Sequence, residues 1–559
     1  MDSRPPHVGN EEAQQATLTG TEHSDNVEKH TMQTSHQERH TVSDELAHLA
    51  NAEDHKDTKW QAIRRNPWAF AWCLFAVWTV LLVSFENQAS GNILGIPEFR
   101  KDFGFYYDGN WVLSAKWQSA FSGAPIASQI VGNLGSGQVA DLIGRRNTLI
   151  IALVITFAAI TMEFVATTNE LFFGGKFLNG FAVGTIQTVA TTYVGEIVPL
   201  ALRGLMTCLI ALSFTVGPFT VALIVNSTGT YDNRWAYRAV FCSQYGFAVI
   251  SSLFIWRMPE SPWFLVDKRK NESKALRSLQ RLGYSSSSGE DVKRLANIKL
   301  TLEQVRRETD GATYLECFRR SNLRRTIISI TPLSVQQFTG IVFAASYSTY
   351  YAQLAGYSTA MSFKLQIIQQ VLSMFGNVIS WYLIDRVGRR FLTLYGTIGL
   401  TAVLWVMGGL AVGGSQGELK GTVAMILVYC WLYNVTIGAT AFTVLTEVST
   451  SRLRAKTIAI GLAVQGCLNI LWSFVLPYLF NPDKADLGGK LGFIFGGLCF
   501  PCIAFLWWYQ PETRGRSYEE LDEMFMKSIA PRKFASYTTE AEMKGQEVQQ
   551  RVYPGKETA

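Results

Sequence analysis

Charge is the scarcest ingredient of this 559-residue chain. Asp, Glu, Lys and Arg together make up 17% of it, well below the quarter typical of soluble domains. What charge there is lies mostly in the first 65 residues, between Arg257 and Arg325, and after Glu512. Histidine is absent beyond His55, all seven lying at or before that position. The long apolar runs therefore hold no imidazole, nucleophile–base pair or metal-ligand set, which argues against a membrane-embedded enzyme and implies neither a metal nor a cofactor. A secretory signal is also lacking: residues 1–60 are polar and His-rich with no apolar core, so the first membrane span must direct insertion, and that tail has the composition of disorder. The eight Cys are scattered, most of them in apolar runs. Cys499 and Cys502 form a C-x-x-C inside G-L-C-F-P-C-I-A-F-L, which suits a lipid-embedded pair better than a redox or metal site. A net charge of +6 reads as charge on one membrane face rather than a nucleic-acid patch.

Long apolar runs are what the chain does have. A span needs about twenty mostly apolar residues, and segments near 72–94, 115–138, 148–167, 171–193, 205–226, 238–257, 326–350, 363–384, 391–412, 422–445, 457–479 and 491–509 qualify. The fold class expected is an all-α polytopic membrane protein with twelve transmembrane helices in two six-helix halves. The division reads as a tail over 1–65, an N-terminal half over 66–257, a charged loop over 258–325, a C-terminal half over 326–510 and a tail over 511–559. If the spans alternate, Arg64, Arg65, Arg145, Arg146, Arg203, Lys268, Arg269 and Lys270 share one side, which makes that side, and both termini, cytoplasmic.

Two internal echoes support paired halves. V-A-D-L-I-G-R-R (Val139 to Arg146) recurs as L-I-D-R-V-G-R-R (Leu383 to Arg390), matching Asp141 to Asp385 at an offset of 244 residues. Glu196-x6-Arg203 recurs as Glu447-x6-Arg454 at an offset of 251. Halves related by an axis along the membrane normal, with a substrate site between them, are a transporter architecture. The matched groups, Asp141, Arg145, Arg146, Glu196, Arg203, Asp385, Arg389, Arg390, Glu447 and Arg454, read as a gating latch that pairs when the cytoplasmic side is shut and parts when it opens. The alternative is that Gly-Arg-Arg turns merely anchor short inner loops, although an anchor needs no acid at a matched offset.

The same stretches carry a family resemblance. G-Q-V-A-D-L-I-G-R-R, Y-V-G-E-I-V-P-L-A-L-R-G (Tyr193 to Gly204), P-E-S-P-W-F-L (Pro259 to Leu265), Q-Q-F-T-G (Gln336 to Gly340), E-V-S-T-S-R-L-R (Glu447 to Arg454) and P-E-T-R-G-R (Pro511 to Arg516) occur in the family's order. The chain resembles sugar porters of the major facilitator superfamily, and most nearly the fungal α-glucoside (maltose-type) proton symporters, through Trp263, S-Y-S-T-Y-Y (Ser346 to Tyr351) and S-R-L-R-A-K-T. It departs at Leu142, where a basic residue is usual, and at Val342, Ala211 and G-A-T-A-F (Gly438 to Phe442), where hexose porters place Asn, Gln and a Pro-rich segment ending in Trp. These departures imply a pocket unlike that of a glucose facilitator.

A sugar site needs amides and hydroxyls, plus an aromatic ring or two for the apolar faces of the substrate. The spans offer Gln336, Gln337, Thr339 and Tyr347 in the seventh, Asn434 in the tenth, and Gln465 with Asn469 in the eleventh, the last two sharing a face at i, i+4 spacing. The resemblance places Gln336, Gln337, Tyr347, Gln465 and Asn469 on substrate positions, and Asn434 where hexose porters often carry an acid. The competing reading is that such amides hold helices together in the membrane. Gln187 and Thr188 in the fourth span are read that way.

Proton coupling without histidine requires a carboxylate. Inside the apolar runs, away from the cytoplasmic ends, only Glu86 and Glu163 qualify. Glu163 precedes F-V-A-T-T-N-E and is expected at the outer rim, reached by water. Glu86 follows fifteen uncharged residues, Ala69 to Val83, and an ionised acid at such depth marks an ion path. By resemblance, the family's proton-linked acid lies eleven residues before a Pro, here Pro97, and its partner cation falls on Lys176. Independently, Glu86 lies 21 residues from Arg65 and Lys176 lies 20 from Glu196, each about 30 Å of helix. Similar heights permit a proton-coupling pair; a static ion pair between the first and fourth spans is the alternative. The function expected is proton-coupled uptake of a sugar, an α-glucoside such as maltose, by a plasma-membrane monomer whose partners are sugar, protons and lipid and not nucleic acid. A hexose uniporter, a sugar sensor on the same fold and a transporter of another metabolite stay open.

Overall fold

The computed structural model describes residues 59–539 except 108–109, 200–201, 288, 310–312, 414, 451–452, 482–483, 515 and 517. The expected disordered tail over 1–65 lies almost wholly outside the described residues. Six helices of membrane length make the first half: α1 (Pro67–Asn92), α2 (Ala115–Ile143), α3 (Arg145–Val165), α4 (Asn169–Ile197), α5 (Arg203–Thr228) and α6 (Trp235–Ile255). The second half repeats them as α7 (Arg320–Phe338), α8 (Thr359–Val387), α9 (Arg389–Gly413), α10 (Gln416–Val435), α11 (Arg454–Phe480) and α12 (Leu491–Tyr509). Each apolar run of the sequence thus becomes a helix, because in hydrocarbon a segment must satisfy its own backbone polar groups.

Among the described residues nine helices are long and apolar enough to cross a membrane. The other three are α2, α4 and α7, and their polarity has a cause. Both α2 and α4 spend polar side chains on one another: Gln129 donates to Gln187 (2.9 Å) and Thr188 to Asn133 (3.0 Å). They also pack backbone against backbone, and a Cβ at Gly180 would meet the Pro125 carbonyl oxygen at 2.3 Å. Helix α7 is interrupted instead. Its path continues as Ile341–Ser346 and Ser348–Leu354, with Gly340 between the first two pieces at φ +84°, a left-handed conformation that favours glycine. Side chains of α8 take up the polar groups at these breaks: Gln369 donates to the Ala344 carbonyl (3.0 Å), and Gln366 accepts from Ser348 and Thr349. Helix α10 is broken likewise at Thr436 and continues as Ile437–Val448.

Large apolar side chains such as Val154, Leu253, Phe375, Val406 and Phe500 are exposed around the bundle, an outer surface suited to lipid tails. The charged loop also folds. Helices Glu272–Arg281 and Glu290–Thr309 bury Ala275, Leu279, Leu295 and Ile298 in one cluster with Ala69, Cys73 and Val80, so the loop seats against the end of the first half. Between α1 and α2 lies a short antiparallel pair, Phe105–Tyr107 with Asn110–Val112, the one β element among the described residues and a departure from a purely helical chain. Its sequence signal was the Asp108-Gly109 dipeptide between aromatic residues.

Candidate functional site

Two arrangements stand out, one deep in the first half and one repeated at the end of both halves. The deep one is built around Lys176 of α4. Its Nζ lies 2.6 Å from Glu86 Oε1 on α1 and 3.2 Å from Glu163 Oε2 on α3. Gln244 of α6 donates to the other Glu86 oxygen at 2.6 Å, and Asn179 of α4 donates to Glu163 Oε1 at 3.0 Å. The ammonium also sits over the Phe241 and Phe172 rings at 4.9 and 5.7 Å. Glu86, Glu163, Lys176, Gln244 and Asn179 are each at most 1% exposed. Glu86 and Lys176 are therefore brought together, as their matched depths allow.

Glu163 departs from its expected place. It does not face water at a rim; it is fully buried against Lys176. Two local features put it there. Gly175 opens the space, since a Cβ at that position would lie 2.9 Å from Glu163 Cγ. Side chains also lean toward the N-terminus of their own helix; α3 and α4 are antiparallel neighbours, so Glu163 and Lys176 lean toward each other. Gln244 and Asn179 gave no sequence signal beyond being amides in apolar runs.

The second arrangement occupies the end of the bundle that carries the two Gly-Arg-Arg turns. Gly144 and Gly388 both adopt φ +101°, which lets each turn reverse tightly before α3 and α9. Arg145 binds Glu196 (2.9 Å), Asp141 (3.1 Å) and the Ala140 carbonyl (3.0 Å). Arg389 binds Glu447 (3.0 Å) and the Ile384 carbonyl (3.0 Å). Arg146 donates to the Trp256 carbonyl and Arg390 to the Trp507 carbonyl. The side chains of Arg203 and Asp385 lie outside the described residues, and Arg454 begins α11, near Arg325. Each of these bonds stays within its own half, so a closed latch here rigidifies a half and does not by itself tie the halves together.

Two further acids at this end, Glu260 and Glu512, belong to the same arrangement. Glu260 accepts from the backbone N–H of Arg145 (2.8 Å), and Glu512 accepts from Arg389 N (2.9 Å) and Arg390 N (3.1 Å). Both cap the first turn of a helix, where a carboxylate completes orphan donors and meets the positive end of the dipole. Burial pushes the Glu260 carboxyl up, and these N–H donors pull it part of the way back. Their offset of 252 beside 251 for Glu196 and Glu447 was the available signal.

The hydrogen bonds that join the halves gather at the opposite end. Gln353 donates to the Gly95 carbonyl (2.7 Å), Arg100 to Gln353 (2.9 Å), Gln88 to the Ala345 carbonyl (3.0 Å), Gln118 to Asn481 (2.9 Å) and Ser119 to the Phe474 carbonyl (3.0 Å). That end is shut.

The expected sugar-binding side chains are only partly available. Gln336 donates to the Ile437 carbonyl just past the break in α10 (2.9 Å) and accepts from Gln465 (3.1 Å), so it is occupied within the protein. Thr339 accepts from Tyr429 (3.0 Å) and donates to the Gln336 carbonyl, and Asn434 donates to the Cys430 carbonyl of its own helix (2.9 Å). Gln337 is buried with its carbonyl oxygen lacking a donor. Tyr347 is buried against Phe480, ring centroids 5.6 Å apart, beside Ser122 of α2. Gln465 and Asn469 are half-buried. Gln337, Tyr347, Gln465 and Asn469 are left as the set with capacity for a ligand.

A helical bundle of two repeated halves, shut at one end and holding a sealed ion cluster, is a multi-pass membrane transporter of the major facilitator fold. Residues 72–525 match the Sugar (and other) transporter family, and the chain belongs to it. The alpha-glucosides permease MPH3 of Saccharomyces cerevisiae (strain ATCC 204508 / S288c) is 32% identical over 486 residues, 85% of this chain and 80% of that protein. The maltose permease MAL61 of Saccharomyces cerevisiae is 31% identical over 485 residues, 85% and 78% of the two chains. In fold, the chain is similar to the xylose transporter XylE from E. coli in an inward open conformation, with a TM-score of 0.66 at 19% identity over 81% of this chain and 99% of that one.

Proposed function

We propose that this protein takes up an α-glucoside such as maltose together with a proton, across the plasma membrane, acting as a monomer with both termini and the Gly-Arg-Arg turns in the cytoplasm. Relatives named as alpha-glucoside and maltose permeases support the substrate class. The observation that carries the coupling is the sealed contact between Glu86 and Lys176. A buried carboxylate is driven toward its neutral form by desolvation and toward its ionised form by a neighbouring cation. Protonation of Glu86 withdraws its charge from Lys176 and loosens α1 from α4. Sugar entering from outside bridges Gln337 and Tyr347 on the α7 path to Gln465 and Asn469 on α11. Closure of the far end, through the bonds of Gln118, Gln88 and Gln353, then commits sugar and proton to the cytoplasmic side. Within each half the Arg145 and Arg389 clusters keep the moving body rigid.

The test is uptake of glucose, maltose, cellobiose and lactose in a cell lacking its own sugar transporters, with and without an uncoupler. Accumulation of maltose that the uncoupler abolishes is expected. Uptake of maltose that stops at equilibrium and ignores the uncoupler contradicts the coupling, and no uptake of any of the four contradicts the substrate class.

A further inference from the structure

A lone Glu86–Lys176 pair creates a difficulty for the reading just proposed, on which this inference rests. With that pair alone, protonation of Glu86 would leave Lys176 an uncompensated ammonium at 0% exposure. Breaking a buried pair in that way is strongly unfavourable, because the desolvated charge keeps its penalty and loses its partner. A site that must load a proton and then close cannot carry such a charge at no cost.

The structure supplies a second carboxylate within reach. We propose that Glu163 is the standby counter-ion of Lys176: when Glu86 takes its proton, the ammonium passes to Glu163, and the loaded site closes without a stranded charge. The ammonium already lies in ion-pair range of both acids, so the exchange needs rotation of the lysine arm and no movement of a helix. Phe241 and Phe172 hold it laterally. Charge and atoms balance: with both acids ionised, two carboxylates and one ammonium make a net −1; a proton from the bath forms an O–H bond on Glu86, and the cluster becomes neutral. Lys176 keeps all its protons throughout.

Donor placement agrees with this order. Both oxygens of Glu86 have short partners, Lys176 and Gln244, at 2.6 Å each, whereas the nearest donor to the buried Glu163 Oε2 is the same ammonium, farther off at 3.2 Å and not in hydrogen-bond alignment. That oxygen is the place the ammonium moves to. The groups around Glu163 are Lys176, Asn179 and the backbone at Gly175 on α4, with Glu86 of α1 reached across Lys176 and Gln244 of α6 across Asn179. Arg238 of α6 lies farther out, over Phe164, and the Asp102, Arg234 and Tyr237 group is bonded among itself near the shut end. No other acid or base competes for Lys176 among the described residues.

Glu163 is thus a positioning residue, and removing its charge makes Glu86 harder to protonate. The experiment is initial uptake of radiolabelled maltose by the full chain against external pH, with surface amount measured in parallel. For Glu163→Gln the pH of half-maximal uptake is expected to move about one unit to the acid side, a tenfold higher proton demand. In Glu163→Gln/Lys176→Gln, where no ammonium is stranded, it is expected to move back toward wild type. A Glu163→Gln profile superimposable on wild type, at normal surface amount, overturns the proposal and leaves Glu163 a static packing partner. Should that variant fail to reach the membrane, Glu163→Asp carries the test: its shorter arm holds Lys176 less closely, so a smaller acid shift is expected and an unmoved midpoint overturns it. A wild-type profile that is flat and insensitive to uncoupler fails the proton reading itself, an outcome distinct from a pH-dependent wild type with an unmoved variant.

Discussion

Glu86→Gln is the perturbation whose outcome the geometry constrains most. The substituted side chain keeps its length and can still accept from Lys176, but its amide nitrogen then faces Gln244 Nε2, now 2.6 Å from Glu86 Oε2. Two donors meet unless one amide turns over, so one hydrogen bond to a charged acceptor is lost, about 1.5–3 kcal/mol. The larger penalty of about 3–5 kcal/mol for leaving a buried charge unpaired is avoided because Lys176 keeps Glu163 at 3.2 Å. The variant is therefore expected to fold and reach the membrane. Its function divides. A neutral residue at 86 carries no proton, so the membrane potential no longer acts on the cycle. Each 100 mV supplies about 2.3 kcal/mol per charge, which corresponds to roughly a fifty-fold gradient at 1.4 kcal/mol per decade. Maltose accumulation in energised vesicles is expected to fall from that range to equilibrium, while counterflow of labelled maltose into vesicles preloaded with unlabelled sugar continues. Accumulation retained at the wild-type ratio refutes the role given to Glu86.

Three further outcomes follow from the packing. Gly180→Leu drives a side chain into the Pro125 carbonyl of α2; overpacking of this kind costs about 1–3 kcal/mol, and a lower unfolding temperature of the detergent-purified protein is expected, whereas an unchanged one would mean that α2 and α4 are not in close contact. Glu260→Gln and Glu512→Gln each remove a carboxylate from backbone donors at a helix start, an effect of about 1.5–3 kcal/mol; both are expected to lower maximal uptake with little change in KM, and a rise in KM alone would place these acids in the sugar site instead. Gln465→Ala frees Gln336 and removes one amide from the ligand set; a several-fold rise in KM for maltose is expected, and an unchanged KM would return Gln465 to helix packing.

Much of the fold was legible because hydrocarbon imposes one rule on every segment. Ala69 to Val83 contains nothing but uncharged side chains, and such a run has no stable state there except a helix. The Gly-Arg-Arg echoes were legible for a related reason: a turn at φ +101° calls for glycine, so the same geometry leaves the same letters twice. What composition concealed were features that depend on a neighbour. Beside the break in α10, the Ile437 carbonyl accepts from Gln336, 101 residues earlier in sequence, and the loop helices depend on Ala69 and Cys73 for their buried face. In the site, the depths of Glu86 and Lys176 followed from counting residues along straight helices. Counting gives Glu163, 18 residues past Arg145, a similar depth, but not its inward direction, which depends on the gap at Gly175 on another helix.

The coupling claim is tested most directly by recording proton and sugar movement together. In lightly buffered suspensions of cells that express the full chain and lack other α-glucoside transporters, addition of maltose is expected to alkalinise the medium, with about one proton entering per labelled maltose, as one titrating acid at the cluster implies. Maltose entry at the same rate with no change in external pH would contradict the account.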